Sequence, residues 1–176
     1  MFQLNPDSQR ARAILALVRM FSNEIPAALA EVERALALNP NSLFILDGIG
    51  YIMTLLGEWE RGPTLIREVI HQNPYYGLYV HYALWVDWIR QGKDEEAYLE
   101  TLNFRGPKVF WEPLMRTVSL GRLGRIEEGK RAAEELLKLK PDFPSRSRIL
   151  IGHYIKFDEI VERTIDGLSE VGLNIE

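Results

Sequence analysis

Apolar residues return along this chain at the three- and four-residue intervals of a single helix face. Ala28, Val32, Ala35 and Leu36 keep that spacing, and so do Ala132, Ala133, Leu136 and Leu137. Proline and glycine cut the runs. Asn39-Pro40 and Asn73-Pro74 are helix stops, because proline cannot continue a helix and biases the residue before it away from helical angles. Gly57, Gly92 and Gly124 fall at tight inter-helix turns, where a left-handed residue costs glycine nothing. The pattern predicts ten helices in five pairs: 7–21 with 24–38, 42–56 with 58–72, 75–91 with 94–104, 109–122 with 125–139, and 144–154 with 158–171. Ser42 is the expected N-cap of the third helix. Pro63, just beyond the first turn of its helix, predicts a small kink.

The pairs repeat. SNEIPAALAEVERALALNP (22–40), LGEWERGPTLIREVIHQNP (56–74) and LGRIEEGKRAAEELLKLKP (123–141) are equal in length and align from end to end. Pro40, Pro74, Pro107 and Pro141 mark an almost constant period. A period of that size, about 34 residues, means stacked supersecondary units. Small residues fall where paired helices must approach closely: Ala28, Gly62 and Gly129 align, and Gly50 follows Ala16 by one period. The third unit is shorter, since Gly92 stands closer to Pro107 than Gly57 does to Pro74 or Gly124 to Pro141. Its second helix should end near Asn103, with Arg105-Gly106-Pro107 as a loop. The last pair carries Ser145, Arg146, Arg148, Lys156, Asp158, Glu159, Glu162 and Arg163. It reads as an end unit with a wet outer face, and Ile160, Val161, Ile165 and Leu168 cover the last repeat.

This turn–helix pattern, with small residues at the crossing and a closing proline, resembles the tetratricopeptide family from about Asp7 to Leu173. The resemblance implies an all-α fold, a right-handed α-solenoid of about five helix–turn–helix repeats. A leader (1–6) precedes a single domain (7–176), with repeats at 7–40, 41–74, 75–107 and 108–141 and a capping pair at 142–176. The C-terminal half, NFRGPKVFWEPLMRTVSLGRLGRIEEGKRAAEELLKLKPDF (103–143) and FDEIVERTIDGLSEVGL (157–173), resembles the helical-repeat region of bacterial multidomain regulators. Those include class III adenylate/guanylate cyclases and winged-helix regulators. This resemblance implies a C-terminal regulatory piece of a longer signalling protein. Nothing in the chain matches a cyclase catalytic domain. One tetratricopeptide subgroup grips a C-terminal carboxylate with Lys, Asn and Arg. The equivalent positions here are Ala13, Leu17, Gly48, Leu78 and Tyr82, so that function is not expected.

Composition narrows the function classes. The 176 residues are 47% hydrophobic and 26% charged, enough apolar material for a continuous core. A net charge of −4 argues against general nucleic-acid binding. The absence of cysteine excludes disulfides, thiolate metal sites and a cysteine nucleophile. No apolar run is long enough to span a membrane and no signal-peptide pattern is present, so a cytoplasmic protein without membrane partners is expected.

In the tetratricopeptide family the first helix of each pair lines the concave face, and the repeat arithmetic places four rows there. They are Arg10, Phe44, Leu78, Trp111; Ala13, Asp47, His81, Leu114; Leu17, Tyr51, Trp85, Val118; and Met20, Thr54, Trp88, Gly121. The rows gather Phe44, Tyr51, Trp85, Trp88 and Trp111, with Asp47 and His81 among them. Large rigid side chains bury much area at little entropic cost, as a peptide-gripping groove requires. They can equally fill gaps between helices, and at least two of the five aromatics are expected to face solvent. The stretch YYGLYVHYALWVDW (75–88) is apolar nearly all round and is either fully buried or shared with a partner, a homodimer among the options.

Catalytic chemistry is missing. His71, His81 and His153 form no i, i+4 pair and no zinc motif. The acidic runs Asp94-Glu95-Glu96, Glu127-Glu128 and Glu134-Glu135 read as solvated faces, as does the basic group Arg131, Lys138, Lys140, Arg146 and Arg148. Gly48-Ile49-Gly50 and Gly121-Arg122-Leu123-Gly124 follow no strand and are not phosphate loops. No enzymatic activity and no cofactor are expected. The reading is a protein-interaction scaffold that holds a peptide, helix or domain in a concave aromatic groove. The alternative is a sensor holding a small molecule near Asp47, His81, Tyr82, Trp85 and Trp88.

Overall fold

The computed structural model describes residues 8–104 and 109–175. Within them lie ten helices: α1 (Gln9–Phe21), α2 (Ile25–Leu38), α3 (Leu43–Leu55), α4 (Arg61–Gln72), α5 (Val80–Gln91), α6 (Asp94–Asn103), α7 (Trp111–Arg122), α8 (Ile126–Leu139), α9 (Phe143–Tyr154) and α10 (Asp158–Glu170). The fold is all-α and built of consecutive helix pairs, consistent with about five helix–turn–helix repeats. The helices pack as two compact units, Met1–Val80 and His81–Glu176. The expected leader and the Arg105-Gly106-Pro107 loop lie outside the described residues.

Four turns share one geometry. A left-handed residue follows the first helix: Asn23 (φ 59°), Gly57 (94°), Gly92 (68°) and Gly124 (69°). The next residue then donates its N–H back across the helix end. These bonds run from Glu24 to Arg19 O (2.9 Å), Glu58 to Met53 O (2.9 Å), Lys93 to Trp88 O (3.0 Å) and Arg125 to Leu120 O (2.9 Å). They satisfy carbonyls the helix leaves orphaned, as in a Schellman motif. The first turn achieves this with asparagine, which tolerates the left-handed region better than most side chains.

The carbonyl of that same next residue accepts the N–H of a small residue four positions on: Ala28, Gly62, Ala97 and Gly129. Close approach explains the size. A Cβ on Gly62 would lie 2.4 Å from Thr54 Oγ1 and 2.6 Å from Thr54 N, and one on Gly129 would lie 2.4 Å from a Val171 methyl. Met20 and Thr54 are fully buried, and Thr54 stands at this crossing, so neither belongs to an open inner face.

In the first unit α1 packs on α2, α3 on α4, and α1 beside α3. Ala16, Met20, Ala28, Val32, Ala35, Ile49, Met53, Leu55 and Ile66 form its core. Buried Glu31 on α2 meets Arg34 at 2.6 Å, Arg12 at 2.8 Å and Arg19 at 3.6 Å. Burial alone would raise its carboxyl's pKa. The Arg12 hydrogen bond and the charges of Arg34, Arg12 and Arg19 outweigh burial and hold it below the usual carboxylate value. The sequence separation of Arg12 and Glu31 returns in the second unit as His81–Glu100 and Arg116–Glu135, each tying a first helix to its partner.

In the second unit α7 packs on α8 and α6, and α10 lies on α7. The expected cap residues Ile160, Val161, Ile165 and Leu168 are all buried. Gly121 and Gly167 mark the crossing, where a Cβ on Gly121 would meet Gly167 O at 2.0 Å. Arg163 of α10 donates to Arg90 O at the end of α5 (2.9 Å), and Arg122 to Asp94 at 2.5 Å.

Two local expectations are corrected, for Pro63 and for the start of α5, and the Ser42 cap is met in position only. Helix α4 begins at Arg61, so Pro63 sits in the first turn, where its missing N–H breaks no intrahelical bond and gives no cause for a kink. Ser42 occupies the N-cap position of α3 but makes no side-chain capping bond; its carbonyl accepts from Ile45 and Leu46. Helix α5 begins at Val80 rather than 75. Asn73 Oδ1 accepts from Tyr75 N (3.0 Å) and Asp47 Oδ2 from Gly77 N (2.9 Å), which holds 73–79 as a strap. Within α5, Val80, Tyr82, Ala83, Leu84, Trp85, Val86 and Ile89 are all buried.

Two stability outcomes follow from these contacts. Glu31→Gln should cost about 2–4 kcal/mol at neutral pH, since it leaves three guanidiniums crowded without their shared anion. Because the folded carboxyl's pKa is lowered, its contribution is full above about pH 4.5 and is lost as pH falls through the folded value. Urea titrations of wild type and variant should therefore converge in acid. Gly121→Ala should lower stability by about 1–3 kcal/mol. Gly152→Ala, with nothing within 4 Å of its Cβ, should raise it slightly, as thermal melts would show.

Candidate functional site

Helices α1 and α3 stand side by side, and the repeat arithmetic holds between them. Arg10 and Phe44, Ala13 and Asp47, and Leu17 and Tyr51 line one cleft of about 350 Å³ in the first unit, and Tyr79 also lines it. Its walls are almost wholly apolar. Phe44 is the most exposed of the expected aromatics, at 81%; Ile14 on the same rim is 51% exposed.

Asp47 is the one carboxylate of the lining, and it is spent on structure. It is buried; Oδ1 accepts from Gly48 N at 2.6 Å and Oδ2 from Gly77 N at 2.9 Å. It also accepts the Tyr79 hydroxyl. Burial first, then the Asp47 charge and hydrogen bond, push the Tyr79 phenol well above its ordinary pKa. The Tyr79 ring then meets Tyr51 edge-on at 5.2 Å. Asp47 is thus a positioning residue that fixes one wall. Gly48 keeps the floor low, and a Cβ there would meet only Tyr79 Oη, at 3.5 Å.

The other four expected site residues belong to the second unit, and two of them are core. His81 is buried against Glu100. Trp85 is fully buried; its indole N–H donates to Ser119 Oγ at 2.9 Å and its ring stacks on Tyr82 at 5.8 Å. Neither can serve as a groove contact, because the repeat stacking that aligns them also covers them. Trp111 is half-buried and meets Tyr154 at 4.6 Å and Tyr82 at 5.0 Å. Trp88 is half-buried with the Lys93 ammonium 5.0 Å over its ring. Val118 and Gly121 lie under α10, so the face of α7 expected to be open is covered.

Tyr79 escapes a reading of the sequence because a helix starting at 75 gives it the wrong phase. Ser119 is legible in principle, since it stands one period after Trp85. Lys140 and Arg146 pair with Asp142, and Arg148 with Glu162, as solvated faces do. Among the described residues no three His, Cys, Asp or Glu side chains group as metal ligands, and no helix is long and apolar enough to cross a membrane.

No protein-family model matches the chain, and no curated protein matches it in sequence. Among solved structures it is similar to MamA MSR-1 C2. The TM-score is 0.60 at 16% identity, and the match covers 93% of this chain and 94% of that one. At that identity the likeness shows the fold alone, an all-α array of consecutive helix pairs.

Ser119→Ala should cost about 1–3 kcal/mol, because it leaves the buried Trp85 N–H without an acceptor. Chemical denaturation followed by tryptophan emission measures the loss. An unchanged midpoint would count against this bond.

Proposed function

We propose that the chain is a protein-interaction scaffold whose cleft between α1 and α3 receives an apolar segment of a partner protein. The carrying observation is the cleft itself, where residues one period apart on two first helices converge on an apolar trough. A fold of this kind implies protein partners generally. Such a trough suits a partner helix or strand that offers apolar side chains on one face.

The small-molecule alternative has less support. A ligand site needs a few convergent polar groups. Here His81 is engaged by Glu100, Trp85 by Ser119, and Asp47 by backbone amides. The narrower reading, a regulatory region of a bacterial signalling protein, draws its support from the resemblance of 103–143 and 157–173 to the repeat regions of such regulators.

Gly48→Leu should fill the cleft floor without disturbing the fold. Peptides selected from a random library on the wild-type chain should lose at least about tenfold in affinity for this variant, equivalent to about 1.4 kcal/mol. Circular dichroism melts should stay within a few degrees. Equal binding to both proteins would place the interaction elsewhere.

A further inference from the structure

The cleft has an electrical direction. Its residues run from Arg10 and Phe44 at the start of α1 and α3 to Leu17 and Tyr51 near their ends. At the first end Arg10 is exposed, and no described carboxylate pairs with it. Neither α1 nor α3 carries an acidic residue in its first turn, a feature they share with α2, α4, α5 and α9. The positive ends of two helix dipoles there are uncompensated by first-turn acids. Asp47 is the one carboxylate of the lining; it is buried and bonded to Gly48 N, Gly77 N and the Tyr79 hydroxyl, which leaves Arg10 as the exposed charge of the cleft. Toward the other end the lining is apolar and aromatic: Leu17, Phe21, Tyr51 and Ile52.

On the reading that this cleft holds a partner segment, we infer that the occupant is an amphipathic peptide with an acidic side chain seated at the Arg10 end. Its apolar residues cover the trough from Ala13 to Phe21. The acid answers Arg10 and the two helix starts, and it fixes the direction in which the segment lies. Charge complementarity of this kind sets orientation and partner choice more than raw affinity. A basic segment of equal hydrophobicity is selected against by the same charges.

The test uses three fluorescein-labelled helical peptides, capped at both ends. They share Leu and Phe on one face and differ at one flanking position, which is Glu, Gln or Lys. Anisotropy titrations are run on the full chain, on Arg10→Gln, on Arg10→Glu and on Gly48→Leu. The Glu peptide should bind wild type about threefold more tightly than the Gln peptide, the size expected of an exposed ion pair. That advantage should vanish in Arg10→Gln and shrink between about 50 mM and about 500 mM salt. Arg10→Glu should prefer the Lys peptide, an exchange that a merely structural role for Arg10 would not produce. Gly48→Leu should weaken all three.

Equal binding of the three peptides to wild type, with loss in Gly48→Leu, would overturn the acidic-end inference and leave the cleft reading standing. Undiminished binding to Gly48→Leu would overturn both. So would the absence of binding by any of the three peptides at millimolar concentration.

Discussion

Everything in this chain depends on how closely the two helices of a pair can approach just after their turn. Each of the first four turns places a left-handed residue, a returning N–H, and then a small side chain at the crossing: Ala28, Gly62, Ala97 or Gly129. At Gly62 the facing atoms are Thr54 Oγ1 and the Thr54 backbone N and Cα, and that backbone cannot move aside without shifting α3. The turn therefore sets the angle between helices, and the small residue sets their distance. Since the same device recurs, the same register recurs. That register is why three pairs are bridged at one constant sequence separation, and why Trp85 finds Ser119 one period later.

The repeated register also explains the cleft. When α1 and α3 stand in phase, their corresponding residues face one space. Whether that space is a trough or a packed core depends on side-chain size. Ala13 and Gly48 keep it open, while Asp47 spends its charge on the strap that carries Tyr79. In the second unit the same phase yields a filled interior. Trp85 and Tyr82 stack within it, and α10 lies over Val118 and Gly121 through a glycine-to-glycine contact. One repeat rule thus gives an open face in one unit and a covered one in the other. The proposed role follows from where the face stays open.

Helix periodicity, turn glycines and closing prolines lie within a few residues of one another along the chain. Local chemistry was therefore enough to determine ten helices, their pairing, the small residues Ala28, Gly62 and Gly129 at three of the crossings, and the burial of the α10 face. It was also enough to place Arg10, Phe44, Asp47 and Tyr51 in matching rows. The start of α5 was not legible, because Tyr75 and Tyr79 favour a helix by pattern until Asn73 and Asp47 bind the backbone between them. Nor was the fate of the aromatics, since the same spacing describes a residue that lines a groove and one that fills a core. Only tertiary packing decided that His81 and Trp85 are interior and that Phe44 is exposed. Burial is fixed by which helix lies opposite. In this chain the partner can stand as far off in sequence as Gly77 from Asp47 or Arg163 from Arg90, beyond the reach of any local pattern.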